Sequence, residues 1–373
     1  MKKSANPKVP FIDLSSQQKS VQGEIDRSLR RIFSNQRFIL GEYGSLLEQK
    51  VAQKIKARHA IGVANGSDAL YLALLALGVG NGDEVITTPF TFFATAGAIS
   101  RTGAVPVFVD IDPLTFNLDP SAIEARISKK TKAILPVHLF GLPCDMEGIL
   151  KIAKQFSLPV VEDAAQSFGA TFRGSQTGSM GDIGCFSFYP TKNLGGAGDG
   201  GIMTTSSPEL AEKLKLLRNH GSRVKYKHEM VGINSRLDEI QAAVILAKLK
   251  RIDRWNSARC KHAKYYEKAL GDLPLQLPAN VPGLKSTYHL YSILSDRRDQ
   301  LQQHLEARGI GCGVYYPLPL HLQPCYQWLG YRRGDLPISE STAEKIISLP
   351  MYAEMTARQL NTVVDAVRDF FKK

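Results

Sequence analysis

One lysine of this sequence lies in a setting that suits chemistry better than a solvated surface does. In CFSFYPTKNLGGAGDGG (185–201), Lys192 stands between an aromatic stretch and a loop that is mostly glycine. Two phenylalanines alternate with Ser187 and Tyr189, and this period of two predicts a strand that ends just before the lysine. Ligands of open α/β sheets bind at the carboxyl ends of the strands. We therefore expect the amine of Lys192 to meet a ligand.

A carboxylate and an amide follow another predicted strand. In VVEDAAQSFGA (160–170), Asp163 ends an apolar run, and Gln166 comes three residues later. The two side chains are close enough to share a site if a helical turn begins there. Taken alone, a carboxylate at a strand end is equally well explained as a cap or turn residue, so both interpretations stay open.

Two more stretches supply groups that suit a ligand with a phosphate and a planar ring. ANGSDAL (64–70) joins a short strand to a helix, where Gly66 permits close backbone approach and the amide of Ser67 faces outward. Such a helix start suits a phosphate, although a plain N-cap explains it equally well. Phe92 follows a predicted strand and is available to stack on a ring, although a core position is the commoner fate of a phenylalanine.

Taken together, these four stretches match the needs of pyridoxal 5′-phosphate. A lysine amine binds its aldehyde, an acid holds its pyridine nitrogen protonated, a helix start holds its phosphate and an aromatic side chain covers its ring. The combination predicts a pyridoxal phosphate site, which no single stretch does.

The elements that must position these groups alternate between strand and helix patterns. Short apolar runs bounded by Gly, Pro or Asp predict buried strands, and the segments between them predict helices. This alternation predicts an α/β fold in which a mainly parallel sheet has helices on both faces. The predicted strands are 83–88, 104–110, 132–138 and 158–163, and the predicted helices are 67–77, 91–101, 120–127 and 145–156.

The pattern changes in the last third of the chain. Apolar residues at helical spacing over 236–270 predict a helical segment long enough to bridge two lobes. We expect a large domain with an N-terminal arm over 1–255 and a smaller C-terminal α+β domain over 256–373. The predicted elements of the smaller domain are strands near 286–294 and 311–316 and helices near 296–308, 339–347 and 356–371.

Composition narrows the classes of partner. The formal net charge is +12, but the basic residues fall in short clusters without a long basic arm, which argues against nucleic-acid binding. The most apolar stretch, 60–80, is interrupted by polar residues, which argues against a membrane span. The histidines are scattered, and no H-E-x-x-H or CxxC pattern occurs, so we expect no metal site.

Cysteine usage and the first residues favour the cytoplasm. The five cysteines are far apart and odd in number, which is typical of free thiols in a reducing compartment. The N-terminal MKKSANPKVPFIDL carries charge but lacks the apolar centre of a secretory signal. We therefore expect a cytoplasmic protein.

A nicotinamide-dependent oxidoreductase is the rival enzyme class. Gly196, Gly198 and Gly201 satisfy the pattern G-x-G-x-x-G. The dinucleotide-binding fingerprint requires a helix directly after it, whereas IMTTS (202–206) predicts a strand. The pattern therefore disfavours this rival.

Several long stretches, in the right order, make the sequence resemble the DegT/DnrJ/StrS-type sugar aminotransferases. The resemblance covers nearly the whole chain and implies the aspartate-aminotransferase type of fold, with a three-layer α/β/α large domain. The stretches are FILGEYGSLLEQ (38–49), ANGSDAL (64–70), VEDAAQSFGA (161–170), FSFYPTKNLGGAGDGG (186–201), GINSRLDEIQAA (232–243) and GVYYPLPLHLQP (313–324).

The resemblance implies a role for each residue that would face the cofactor ring. Lys192 would bind pyridoxal phosphate covalently and, once free, move protons between cofactor and substrate. Asp163 would hold the ring nitrogen protonated, Gln166 would hydrogen-bond the ring hydroxyl, and Phe92 would stack on the ring.

The resemblance also implies a phosphate site shared between subunits. Gly66, Ser67 and Ser187 would bind the phosphate. In this family the asparagine that matches Asn234 reaches the phosphate from the neighbouring subunit, which implies a homodimer.

The activity implied by the resemblance is transamination, because relatives that act as dehydratases replace the lysine with histidine and this chain keeps Lys192. The amino group would pass from an amino acid, by resemblance L-glutamate, through pyridoxamine 5′-phosphate to a nucleotide-linked keto sugar, for amino-sugar or surface-polysaccharide biosynthesis. FYPTKNLGGAGDGG (188–201) resembles the subgroup that aminates carbon 3. Amination at carbon 4 and a non-catalytic pyridoxal phosphate-binding protein stay open as alternatives.

Candidate substrate-binding residues rest on the resemblance alone. Tyr189, Tyr315 and His321 would line the sugar pocket. The nucleotide, dTDP or UDP, stays open. The basic residues Arg223, Lys225, Lys227 are candidates for the diphosphate, and a solvated loop explains them equally well.

Overall fold

The structure, a computed structural model that describes residues 8–372, is built on fourteen strands. They are β1 (His59–Val63), β2 (Glu84–Thr87), β3 (Val105–Phe108), β4 (Thr131–Ile134), β5 (Val161–Asp163), β6 (Thr171–Phe172), β7 (Ser175–Gln176), β8 (Ile183–Ser187), β9 (Gly201–Thr205), β10 (Ser222–Val224), β11 (Lys227–His228), β12 (Leu284–Lys285), β13 (Tyr291–Leu294) and β14 (Ile346–Leu349).

Eleven α-helices lie within the same described residues. They are α1 (Ser15–Asn35), α2 (Glu42–Ile55), α3 (Gly66–Ala76), α4 (Ala94–Arg101), α5 (Met146–Gln155), α6 (Pro208–Leu217), α7 (Glu239–Leu249), α8 (Ile252–Leu270), α9 (Arg298–Ala307), α10 (Pro337–Lys345) and α11 (Ala357–Phe371). Short 3₁₀ helices span Pro120–Ala122, Glu124–Arg126, Leu139–Gly141, Leu320–Leu322 and Pro324–Leu329. Over 8–372, no helix has both the length and the apolar character needed to cross a bilayer.

A central sheet carries the order β3-β2-β4-β5-β8-β9-β1. Hydrogen-bonded ladders join β3-β2-β4 and β5-β8-β9-β1. Parallel bridges from Ile134 to Val160 and from Val137 to Asp163 join the two groups. The neighbours of β2 and β5 are parallel, whereas β9 runs against both β8 and β1. The mostly parallel sheet predicted from the sequence is confirmed.

Helices cover both faces of this sheet. Cys185 and Met203 pack with α3 and α6 in the core on one face. Phe186 and Ile202 pack with α1, α2 and α7 in the core on the other face. Successive side chains of a strand point to opposite faces, so each buried strand serves both cores. The three-layer α/β/α arrangement is therefore confirmed.

A further core lies in the C-terminal part of the chain. It is formed by α8, α9, α11, β13 and β14, and Val9 from the N-terminal segment packs into it. Val9 also forms a parallel bridge with Ile310. The division into domains at residues 255 and 256 stays a prediction.

Two predicted elements are absent as such. The helix predicted over 120–127 is a pair of 3₁₀ turns, Pro120–Ala122 and Glu124–Arg126. The strand predicted over 311–316 is wrong, since this segment contributes only a single bridge from Gly313 to Ser348. The amide of Gly311 donates instead to the carbonyl of Val9.

Two predicted helices have different ends. The helical segment predicted over 236–270 is broken between α7 and α8, where Lys250 and Arg251 both pair with Glu24 of α1. The helix predicted over 339–347 ends at Lys345, because the next residues form β14 and pair with β13. The β-branched pair that opens β14 favours a strand.

Helix α7 connects the scaffold to the loop after Lys192. The Gln241 side-chain oxygen accepts a hydrogen bond of 2.8 Å from the amide of Ala197, and the Lys248 amine donates to the carbonyl of Gly195 at 2.8 Å. At the start of α7, the buried carboxylate of Glu239 accepts three hydrogen bonds from backbone amides at the start of α2. These amides have no partner within their own helix, so Glu239 acts as the N-cap that Gly41 does not supply.

Removing the charge of Glu239 tests this cap. Glu239→Gln should lower the free energy of unfolding by about 1–3 kcal/mol, because a neutral amide replaces a buried carboxylate that accepts three amide hydrogens. Chemical denaturation measures the change. Glu209→Gln, on the exposed first turn of α6, is the control and should change stability by less than about 0.5 kcal/mol. Equal stabilities of the two variants would contradict the cap.

Candidate active site

The end of β8 places Lys192 at the edge of the sheet. The strand ends at Ser187, and the Lys192 amide donates to the carbonyl of Tyr189 at 2.9 Å, which turns the chain. A Cβ on Gly195 would lie 2.3 Å from the carbonyl oxygen of Pro190, so the loop can fold back here only with glycine. The predicted position of Lys192 past a strand end is what the structure shows.

Asn193 anchors the backbone next to Lys192. Its side-chain nitrogen donates to the side-chain oxygen of Asn256 at 2.9 Å and to the backbone carbonyl of Thr287 at 3.0 Å. Its oxygen lies 3.2 Å from Nδ1 of His289. Since Asn193 is buried, these bonds fix the turn that carries the lysine.

The electrostatic surroundings of Lys192 favour a reactive amine. Burial lowers the pKa of Lys192 to about 8, and the nearby charge of Asp163 opposes this effect. At pH 7 about a tenth of the amine is therefore neutral, a far larger share than for an ordinary lysine. A neutral amine is the form that attacks a carbonyl carbon.

Asp163 ends β5 and is buried beside the lysine. Its Oδ2 accepts a hydrogen bond of 2.8 Å from the hydroxyl of Thr95, and its Oδ1 accepts one of 3.2 Å from the amide of Ala165. Burial raises the pKa of Asp163, whereas these two hydrogen bonds and the charge of Lys192 lower it. The carboxylate is thus held by donors that favour its charged form.

Gln166 is oriented by two neighbours. Its side-chain oxygen accepts a hydrogen bond of 2.8 Å from the amide of Phe140, and its nitrogen donates to the hydroxyl of Tyr316 at 3.1 Å. These contacts fix the orientation of the side-chain amide. Its nitrogen uses one hydrogen for Tyr316, and the other is left for a ligand oxygen.

An aromatic surface borders this amide. The ring of Phe92 is 57% exposed, and its centroid lies 6.3 Å from that of Tyr316. Phe92 is therefore not a core residue, and its exposed ring can stack on a planar ligand.

The start of α3 meets the end of β8. A Cβ on Gly66 would lie only 2.7 Å from the Cβ of Ser187, so glycine alone allows this approach. The side chain of Asn65 caps the helix by accepting from the amide of Asp68 at 2.8 Å. The hydroxyl of Ser187 and the first amides of α3, including that of Ser67, thus lie together at a helix start that suits an anion.

The remaining candidate residues lie at varied places. Asn234 is exposed, and its backbone forms an isolated antiparallel β-bridge with that of Asn219. Tyr315 stacks on Phe11 with ring centroids 5.9 Å apart. His321 is buried and hydrogen-bonds Glu340 at 3.1 Å. Within this single chain, Lys192 lies together with the residues predicted to contact the cofactor ring and phosphate. Asn234 and His321 instead contact Asn219 and Glu340.

The sequence predictions did not single out three groups that shape the site. They are Thr95, Tyr316 and the backbone amide of Phe140. Thr95 lies three residues past Phe92, and Tyr316 follows Tyr315 in GVYYPLPLHLQP (313–324). Their residue types alone do not indicate a role in the site, because their hydrogen-bond partners are distant in the sequence.

The profile of the DegT/DnrJ/EryC1/StrS aminotransferase family matches residues 19–368. The chain belongs to this family. The protein is a pyridoxal phosphate-dependent transaminase. The resemblance stated from the sequence is confirmed.

Similar proteins and structures cover nearly the whole chain. The "pleiotropic regulatory protein" of Geobacillus stearothermophilus is 51% identical over 98% of this chain and 99% of its own length. The dTDP-3-amino-3,4,6-trideoxy-α-D-glucose transaminase of Streptomyces venezuelae is 43% identical over 100% and 98%. The crystal structure of S. venezuelae DesV in complex with a ketimine intermediate has a TM-score of 0.96 at 44% identity, covering 98% of this chain and 99% of that one. Three further relatives are 43%, 40% and 42% identical; they are named as the UDP-N-acetyl-3-dehydro-α-D-glucosamine 3-aminotransferase of Acidithiobacillus ferrooxidans, the UDP-2-acetamido-2-deoxy-3-oxo-D-glucuronate aminotransferase of Pseudomonas aeruginosa and the dTDP-3-amino-3,6-dideoxy-α-D-galactopyranose transaminase of Aneurinibacillus thermoaerophilus.

The pKa of Lys192 gives a test that needs no cofactor. Trace acetylation of the cofactor-free chain from about pH 6 to about pH 11, read by peptide mass spectrometry, reports the neutral amine. The label on Lys192 should rise through a midpoint of about 8. Asp163→Asn should move the midpoint lower, because it removes the charge that raises this pKa. A midpoint near the ordinary 10.5 in the parent would contradict the described surroundings.

Proposed function

We propose that this transaminase moves the amino group of L-glutamate onto carbon 3 of a nucleotide-linked keto sugar, with pyridoxal phosphate held by Lys192. The observation that carries the proposal is the arrangement of a reactive amine, a buried carboxylate and a glycine-dependent helix start at one sheet edge. The names of relatives 40–43% identical support carbon 3, since they describe transaminases of 3-amino, 3-dehydro or 3-oxo sugars.

The residues fit the cofactor group by group. Gly66, Ser67 and Ser187 would hold the phosphate, because the close approach of α3 to β8 leaves amides and a hydroxyl together. Gln166 would donate to the ring hydroxyl through the hydrogen that its described partners leave over. The exposed face of Phe92 would cover the ring.

The chemistry divides between the cofactor and the chain. When bound, pyridoxal phosphate supplies an electron sink for the carbon that loses its proton. Asp163 would hold a negative charge beside the ring nitrogen, supported by its hydrogen bonds from Thr95 and Ala165. Lys192, with a pKa of about 8, can both accept and return a proton near neutral pH, as a general base and acid must.

We also assign the active form to a homodimer in which Asn234 serves the neighbouring site. Asn234 is exposed and lies near a hairpin, β10–β11, with large exposed apolar residues. Val224 and Tyr226 of the hairpin are 63% and 84% exposed, and Val231, which follows β11, is 93% exposed. Apolar groups left open in this way are typical of a surface that a partner covers.

The nucleotide sugar would lie beyond the cofactor. Tyr189 is half exposed next to the lysine turn, and the ring of Tyr315 contacts that of Tyr316. The exposed basic residues of the β10–β11 hairpin would face the diphosphate; they are Arg223, Lys225 and Lys227. His321 enters this assignment by resemblance alone, because it is buried against Glu340.

Turnover with defined substrates tests the proposal. The protein with pyridoxal phosphate, L-glutamate and a dTDP- or UDP-linked 3-oxo sugar should form 2-oxoglutarate and 3-amino sugar in equal amounts. Lys192→Ala should lower kcat by about 10³-fold or more, because it removes the proton carrier. Lys151→Ala, on the exposed face of α5, is the control and should leave kcat unchanged. Turnover by Lys192→Ala that equals the parent would contradict the role of the lysine.

The same assay separates the alternatives. In the reverse direction, a panel of amino sugars should show a preference for 3-amino substrates, and a preference for 4-amino substrates would overturn the carbon-3 assignment. Absorbance of the bound cofactor that changes on addition of glutamate supports glutamate as the amino donor, whereas no response to glutamate would overturn this part of the proposal.

Subunit complementation tests the shared site. Lys192→Ala and Asn234→Ala homodimers should each be impaired, because each lacks one residue in both sites. After mixing and re-equilibration, half of the dimers are mixed and carry one intact site, so activity should recover to about a quarter of the parent. No recovery, with mixed dimers shown by mass spectrometry, would place Asn234 in its own subunit's site or outside it.

A further inference from the structure

A chain of buried hydroxyls leads to Asp163. Thr91 and Thr95 are buried, and their Oγ1 atoms lie 3.0 Å apart. The Thr95 hydroxyl lies 2.8 Å from Oδ2 of Asp163. The two threonines are four residues apart in the sequence: Thr91 precedes α4, and Thr95 is in its first turn.

The charge of Asp163 sets the direction of these hydrogen bonds. An ionised carboxylate only accepts, so the single hydrogen of the Thr95 hydroxyl goes to Oδ2. The Thr95 oxygen can then only accept from Thr91, although either hydroxyl could donate on distance alone. Each donor strengthens the next, because hydrogen bonds in a chain polarise one another.

The carboxylate needs such support because burial acts against its charge. Desolvation is the largest influence on the pKa of Asp163 and raises it, and the Thr95 hydrogen bond is the largest influence that lowers it. The titratable groups that face Asp163 from the elements packed around it are Lys192, His138, Cys144, Cys185 and Tyr316. Of these, Lys192 and His138 act in the same direction as Thr95 but are weaker.

We propose that Thr95 is a positioning residue that orients the Asp163 carboxylate and holds it in its anionic form for the ring nitrogen of the cofactor. The proposal rests on the proposed function in one respect, the contact between Asp163 and the cofactor. Thr95 acts through Asp163 and does not itself touch the cofactor.

Binding of pyridoxamine 5′-phosphate to the full-length protein tests the proposal without turnover. This probe has no aldehyde and forms no bond with Lys192, so its dissociation constant reports the site directly. We compare the parent and Thr95→Val from about pH 8.5 to about pH 5.5 by calorimetry. The dissociation constant of the variant is divided by that of the parent at each pH. This ratio cancels the titration of the probe itself, which is common to both proteins.

The expected result is a ratio that depends on pH. Loss of the hydrogen bond raises the pKa of Asp163 in the variant, so the anion disappears at a higher pH than in the parent. The ratio should stay near one at the alkaline end and rise to about tenfold at the acidic end, since a shift of one pKa unit changes affinity tenfold. A ratio that stays constant with pH, whatever its size, would overturn the proposal.

Matched variants separate this role from a merely structural one. Thr95→Ser keeps the hydroxyl and should restore the pH profile of the parent. Thr87→Val removes another fully buried hydroxyl, which donates to the carbonyl of Leu135, and should leave the ratio flat. Thr95→Ala replaces the valine variant in the same comparison if the latter does not fold. A flat profile for the alanine variant would equally overturn the proposal.

Asp163→Asn distinguishes the two levels of the account. If this variant binds the probe as tightly as the parent does, the assignment of Asp163 in the proposed function is wrong. If Asp163→Asn binds the probe more weakly while Thr95→Val shows the same flat pH profile as Thr87→Val, only the role of Thr95 is wrong.

Discussion

The rest of this structure depends on one electrostatic interaction, between the buried carboxylate of Asp163 and the partly buried amine of Lys192. Burial alone disfavours the charged form of both groups, because it raises the pKa of Asp163 and lowers that of Lys192. Each charge opposes this effect on the other. The balance leaves an amine that exchanges protons near neutral pH next to an acid whose charge is supported by hydrogen bonds. Transamination requires this combination, since the same amine has to take a proton and return it.

The scaffold meets this constraint with backbone geometry more than with further charges. The parallel neighbours β5 and β8 place the acid and the lysine turn at one edge of the sheet. Glycine at Gly66 and Gly195 allows chain approaches that any Cβ would block. Helix α7 then holds the loop after the lysine through Gln241 and Lys248.

The sequence was sufficient for the elements and residues whose signal is local. The strand ends that carry Asp163 and Lys192, the glycine-rich loop and the helix start at Gly66 follow from residue type and spacing. The support of the site could not be predicted, because Thr95, Tyr316 and Asn193 act through partners far along the chain. For the same reason the sequence misplaced the end of α10, where pairing with β13 outweighs helical spacing. The glutamate donor, the homodimer, the domain division and the cytoplasmic location stay predictions.

Covalent attachment of the cofactor is the most direct measure of the central claim, that the Lys192 amine is the group poised to react. Borohydride reduction of the protein loaded with pyridoxal phosphate, followed by peptide mapping, fixes the cofactor to the lysine that holds it. The account predicts one phosphopyridoxyl label per chain, on Lys192. A label on another lysine, or a chain that stays unlabelled after loading, would contradict it.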